Sequence, residues 1–194
     1  MKRNIIIAIF IIIGSLLILT SLQKKEEEMA LTENNYMDYV ITLKTNHGDI
    51  RFETYSKDAP ETVENFITLA KKNFYDGVIF HRVIEGFMIQ GGDPEGTGRG
   101  GPGYTFDDEI NPQAQIYQEG YKEGIVAMAN AGPNTQGSQF FIMVADNDLP
   151  PNYTIFGKVI SGQEIANKIA KVEKDINDKP TEDVIIESVS VEEK

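Results

Sequence analysis

The chain has 194 residues, 41% of them apolar and 25% charged, which suits one ordinary folded domain plus a small addition and excludes a largely disordered chain. The formal net charge is −12, and the first 28 residues carry +1, so the remainder carries −13 and repels phosphate backbones, which argues against nucleic acid as a partner. The absence of cysteine excludes disulfides, thiol catalysis and cysteine-ligated metals.

The chain opens with MKRNIIIAIFIIIGSLLILTSLQKKEEE, in which Ile5 to Leu22 is an uncharged run of 18 residues. That run is longer than a usual signal-peptide core and just reaches the length of a spanning helix, and Thr20, Ser21 and Leu22 match a cleavage site poorly. Residues 1–22 are therefore expected to be a hydrophobic helix that anchors the protein in a membrane, with a cleaved signal as the alternative. Lys2 and Arg3 before the run are nearly matched by Lys24 and Lys25 after it, and the amino terminus tips the orientation towards an extracytoplasmic domain. Residues 23–37 read as a polar tether.

From Asp38 the pattern becomes short alternating segments. Val40 to Thr45 and Ile50 to Tyr55 flank Asn46-His47-Gly48-Asp49 and predict a hairpin. In the next segment Val63, Phe66, Ile67 and Ala70 recur at helical spacing behind Pro60, which predicts a helix over 60–72. Strands are expected at 78–84, 87–91, 124–129, 139–145 and 153–160. A second helix over 162–172 is expected to open on a capping box of Ser161 and Glu164. The polar segment EKDINDKPTED reads as a linker before a last strand, Val184 to Val191, which could pair with the first and close a barrel.

Several motifs fail on context. GTGRGG, residues 96–101, has the spacing of a dinucleotide fingerprint, but Pro102 and Gly103 follow where a helix must start. GGDPEGT has Thr97 where a phosphate-binding loop needs lysine. His47 and His81 have no partners at ligand spacing, and Asp146-Asn147-Asp148 runs into Leu-Pro-Pro, so no metal and no cofactor are expected. Ser138 lacks the glycine pattern of a hydrolase nucleophile, and Asn152-Tyr153-Thr154 is a glycosylation sequon of a kind common by chance.

What remains is FHRVIEGFMIQGGD (80–93), MANAGPNTQGSQFFI (128–142) and YTIFGKVI (153–160), in that order. Singly, an arginine on an edge strand can serve solubility and phenylalanines usually fill cores. Together the blocks resemble the signature stretches of the cyclophilin family of peptidyl-prolyl cis-trans isomerases over about residues 38–192. The resemblance implies a mainly β fold, a closed eight-stranded antiparallel barrel capped by two α-helices, with a peptide groove on its outer face. It implies Arg82 as the catalytic residue and Phe87, Met88, Gln90, Ala129, Asn130, Gln139 and Phe141 as substrate-binding residues, with Leu149 and Tyr153 from a less closely matched stretch.

The partners so implied are proline-containing peptides and unfolded or secreted proteins, and the protein is expected to be a monomer. The chain has no tryptophan, and in DNDLPPNYTIF the family's frequent tryptophan and histidine correspond to Asp148 and Tyr153, so weak cyclosporin binding is expected.

Overall fold

The computed structural model describes residues 18–25 and 36–194. Contacts divide the chain into two units, Met1–Tyr36 and Met37–Lys194. In the first, residues 18–25 are helical and Ile18, Leu19 and Leu22 are exposed. Among the described residues no helix is long and apolar enough to cross a membrane. Most of the run expected to span a membrane, and most of the tether, lie outside the described residues.

The second unit contains β1 (Tyr39–Thr45), β2 (Gly48–Thr54), α1 (Pro60–Lys71), β3 (Arg82–Ile84), β4 (Met88–Gly91), α2 (Gln115–Glu119), β5 (Ile125–Met128), β6 (Phe140–Met143), β7 (Ile155–Ser161), α3 (Gln163–Ile169) and β8 (Ile186–Glu193). All ladders are antiparallel. In the first hairpin Thr45 pairs with Gly48, so the turn is the two residues Asn46 and His47, and Gly48 takes a φ of 127°. Ile41 and Leu43 lie opposite Phe52 and Ile50, and all four are buried, as the alternation in sequence requires.

α1 begins at Pro60 as expected, and its two leading N–H groups, those of Glu61 and Thr62, donate to the Glu109 carboxylate at 3.0 and 2.7 Å. A distant acid thus caps the helix where the preceding Ala59 cannot. α3 is shorter than expected, and the capping box is not formed. Its N-cap is Gly162, in the left-handed region at φ 84°, while Ser161 is used as a strand residue opposite Arg51. A Cβ at Gly162 would collide with Asp49, so the tight β7 to α3 corner requires glycine.

The strand order is β3-β4-β6-β5-β7-β2-β1-β8. The last strand does pair with the first, but this leaves β3 and β8 as two edges with no ladder between them, so the sheet is an open half-barrel and the expected closed barrel is corrected. Residues 77–80 span the gap instead: Gly77 and Phe80 donate to the carbonyls of Ile186 and Val184, and Ile186 donates back to Val78, each at 2.8 Å. β3 itself is only three residues long, and the N–H of Val83 goes to the carbonyl of Asp178, at 2.8 Å, rather than to β8. The segment expected as a linker is thus an ordered hairpin lying along β3.

The central strands are buried on both faces, and their alternation separates two clusters. Val126, Met128, Phe140, Ile142 and Ile89 face the main core, where Phe66 of α1 meets Phe52, Tyr75, Phe140 and Phe156 with ring centroids 5.7, 4.7, 5.5 and 5.4 Å away. Their neighbours Ile125, Ala127, Phe141, Met143 and Met88 face the opposite way and form a second cluster with Tyr121 and Ile155. α1 packs against β8 and α3 against β2, leaving this second face to other cover.

Candidate active site

Strand pairing brings distant residues into one row. Arg82 of β3 lies opposite Gln90 of β4, Gln90 opposite Phe141 of β6, and Phe141 opposite Ala127 of β5. The next row is Ile84, Met88 and Met143. Adjacent strands are about 4.8 Å apart, so Arg82 stands two strand spacings, roughly 10 Å, from Phe141. A fixed cation and an aromatic ring therefore share one face, separated by an amide.

A groove of about 710 Å³ lies over this row. It is lined by Arg82, Phe87, Met88, Gln90, Ala129, Asn130, Phe141, Leu149 and Tyr153, nine of the ten residues singled out in the sequence. The tenth, Gln139, lines an adjacent groove of about 630 Å³ and accepts a hydrogen bond from Gln90 Nε2 at 3.0 Å. Gln139 Nε2 donates in turn to the carbonyl of Gly100 at 2.9 Å.

The floor is dry and the rim is wet. Met88 and Phe141 are buried, whereas the Arg82 side chain is 44% exposed. Tyr153 stands edge-on to Phe141, centroids 5.5 Å apart, and is held from below by Tyr121, whose hydroxyl donates to the Tyr153 carbonyl at 2.8 Å and accepts from its N–H at 3.1 Å. Burial pushes the Tyr121 hydroxyl up to about 12, so it stays protonated and can keep that donor role. Tyr117 of α2 accepts the Ile155 N–H at 3.0 Å, and Asn130 Nδ2 donates to the Asn152 carbonyl at 2.8 Å. The loop carrying Leu149 and Tyr153 is thereby fixed to the sheet. The N–H of Asn130 has no protein partner among the described residues.

On the other rim, buried Asp93 organises the glycine-rich loop that resembled a dinucleotide fingerprint. Its carboxylate accepts the N–H groups of Glu95, Thr97 and Gly98 at 2.8, 2.9 and 2.6 Å. Gly96 and Gly98, at φ 63° and 80°, turn the chain back over the groove, and no helix follows. Among the described residues no group of three or more His, Asp or Glu could hold a metal ion.

The family model for "Cyclophilin type peptidyl-prolyl cis-trans isomerase/CLD" matches residues 40–191. The chain belongs to this family. The chain is 49% identical over 180 residues to peptidyl-prolyl cis-trans isomerase A of Mycobacterium tuberculosis, covering 84% of this chain and 97% of the relative. It is also 49% identical over 156 residues to a peptidyl-prolyl cis-trans isomerase of Schizosaccharomyces pombe, covering 78% and 98%. A crystal structure of a Cryptosporidium parvum cyclophilin in the presence of the dipeptide Ala-Pro matches with a TM-score of 0.71 and 40% identity, over 80% of this chain and 99% of that one. The enzyme is a peptidyl-prolyl cis-trans isomerase.

The cyclophilin groove also includes residues that the sequence did not assign to it: His81, the loop at Gly96 to Gly98, and Asp175, Asn177 and Lys179 from the hairpin beside β3. His81 neighbours Arg82 in a recognised block and could have been found there. The hairpin residues carry no apolar period, and only the docking of the hairpin onto β3 brings them to the groove.

Proposed function

We propose that the isomerase binds proline-containing segments of unfolded polypeptides in the 710 Å³ groove and accelerates rotation about the X-Pro bond through Arg82. That bond resists rotation because the nitrogen lone pair is delocalised into the carbonyl, giving a barrier of about 18–20 kcal/mol. At the twisted transition state the lone pair is localised and becomes a good acceptor. A donor aimed at the nitrogen therefore stabilises the transition state more than the planar ground state. Arginine suits the task because it stays protonated, and the reaction transfers no proton.

In this reading Phe87, Met88, Phe141 and Leu149 grip the proline ring, Tyr153 closes one side, and Ala129 and Gln139 shape the path of the chain. Gln90 and the N–H of Asn130 hold the carbonyl before the proline, so that rotation is confined to one side of the bond. The dry floor strengthens the arginine's interaction with the developing lone pair. The observation that carries the proposal is the row Arg82, Gln90, Phe141, which puts a cation, an amide and an apolar floor on one face. The Ala-Pro dipeptide of the Cryptosporidium parvum structure supports it by likeness. A protease-coupled assay of an Ala-Pro reporter peptide, comparing the full chain with Arg82→Ala, tests it.

The run Ile5 to Leu22 supports a second element of the proposal, a membrane anchor that presents the domain outside the cytoplasm to secreted or surface proteins. The domain acts as a monomer, and with Asp148 where the family often has tryptophan it binds cyclosporin weakly. Extraction from membranes at alkaline pH, with sequencing of the mature amino terminus, separates an anchor from a cleaved signal.

A further inference from the structure

We propose that Asp178, at the tip of the hairpin beside β3, is a positioning residue that aims the Arg82 guanidinium into the groove. The inference rests on the reading of Arg82 as the donor to the prolyl nitrogen.

The hairpin is well defined. Thr181 donates to the Glu173 carbonyl at 2.9 Å and Asp175 to the Lys179 carbonyl at 2.8 Å, while Asp175 Oδ1 accepts the N–H groups of Asn177 and Lys179 at 2.8 and 3.0 Å. Its tip is fastened to the strand that carries Arg82, because the Val83 N–H donates to the Asp178 carbonyl at 2.8 Å. Asp178 takes a left-handed backbone, φ 64°, and its Oδ2 lies 4.0 Å from Arg82 Nε. Among the described residues this carboxylate is the only ionic partner of Arg82, and the guanidinium makes no hydrogen bond there.

The position of the contact decides what it can do. An arginine on an exposed edge strand has several staggered rotamers at each of its torsions, and most of them point it into water. A carboxylate beside Nε biases the side chain from its elbow and leaves the terminal N–H groups for substrate, whereas a pair formed end-on with the fork would occupy them. The anion also offsets some of the arginine's field. At this distance in an exposed site that loss is screened, so orientation dominates and removing the carboxylate slows the reaction.

The test uses the purified full chain with Asp178→Asn and Asp178→Gly, both of which tolerate the left-handed backbone and so keep the hairpin. Exchange of an Ala-Pro reporter peptide is followed, together with thermal melting and the order parameter of the Arg82 Nε–H by nitrogen relaxation. We expect kcat to fall about threefold to tenfold in both variants, with KM within about twofold, as suits one exposed ion pair acting through orientation. The melting temperature stays unchanged and the Arg82 order parameter drops. In an Arg82→Ala background, Asp178→Asn has no further effect. An unchanged or raised kcat overturns the inference, as does a loss confined to KM or an equal loss in the Arg82→Ala background. If Arg82→Ala alone is as active as the wild type, the reading of Arg82 itself fails. If Arg82→Ala is inactive and Asp178→Asn is normal, only the positioning role fails.

Discussion

Gln90 and Gln139 join the two grooves of the outer face: the side-chain amide of Gln90 donates to the side-chain carbonyl of Gln139 at 3.0 Å, and Gln139 holds Gly100 at 2.9 Å. Gln90 sits in the row with Arg82 and Phe141, so its orientation is set from outside the groove. Gln139→Leu removes its acceptor and releases the glycine-rich loop. One hydrogen bond contributes about 1 kcal/mol net, so kcat/KM should fall about fivefold, measurable by peptide exchange at low substrate.

Asp93→Ala should destabilise the domain by about 3 kcal/mol, read from urea unfolding, because three loop N–H groups lose a buried charged acceptor at once. The same group gives a pH dependence. Burial works against its charged form, but the backbone N–H groups of Glu95, Gly100, Gly98 and Thr97 outweigh burial and hold the carboxyl below its ordinary value. Its folded value being depressed, its contribution is complete above the unfolded value of about 3.9 and is lost as pH falls through the lower folded one. Melting followed below pH 4 should show a component of the decline that Asp93→Ala lacks.

His81 is buried beneath Gly98, and neither ring nitrogen has a hydrogen-bond partner among the described residues. Burial lowers its pKa; Asp93 acts in the opposite direction, and Arg82 and Lys179 reinforce the lowering. The folded protein then resists a proton that the unfolded chain accepts below about pH 6.5, so stability falls as pH drops from there towards the folded value, by up to about 1.4 kcal/mol per pH unit. His81→Leu should flatten the melting profile below about pH 6.5. An unchanged slope would show that the imidazole takes up its proton as readily in the fold as in the unfolded chain.

Phe66→Ala should cost about 3–5 kcal/mol, since this ring joins α1 to four aromatic rings of the main core. Activity per folded molecule should stay near that of the wild type, because the groove stands on the opposite face of the sheet. Denaturant unfolding and peptide exchange on the same sample separate the two effects.

The sequence was most legible where one residue's neighbours lie in its own block. Arg82, Phe87, Met88 and Gln90 belong to a single strand-turn-strand unit, β3 and β4, so alternation alone fixes which of them share a face. Leu149 and Tyr153 reach the same groove through a loop held by Tyr117 and Tyr121, and the five-residue helix before Tyr121 has no buried residue to announce it. The hairpin around Asp178 was read as a linker for a similar reason: backbone bonds and Asp175 hold it, and neither leaves a hydrophobic period. The closed barrel was expected because the last strand pairs with the first. What the other edge would meet depends on the Val83 N–H going to Asp178, which no pattern in the strands reveals.

The central claim is that Arg82 stabilises the twisted bond rather than merely binding the peptide. Exchange spectroscopy on an Ala-Pro peptide, with binding followed by chemical-shift titration in the same sample, tests it most directly. For Arg82→Ala the account predicts an exchange rate about a hundredfold lower at saturating peptide, equivalent to about 3 kcal/mol at the transition state, with Kd changed by less than about threefold. Equal loss of binding and exchange, or exchange as fast as in the wild type, would contradict it.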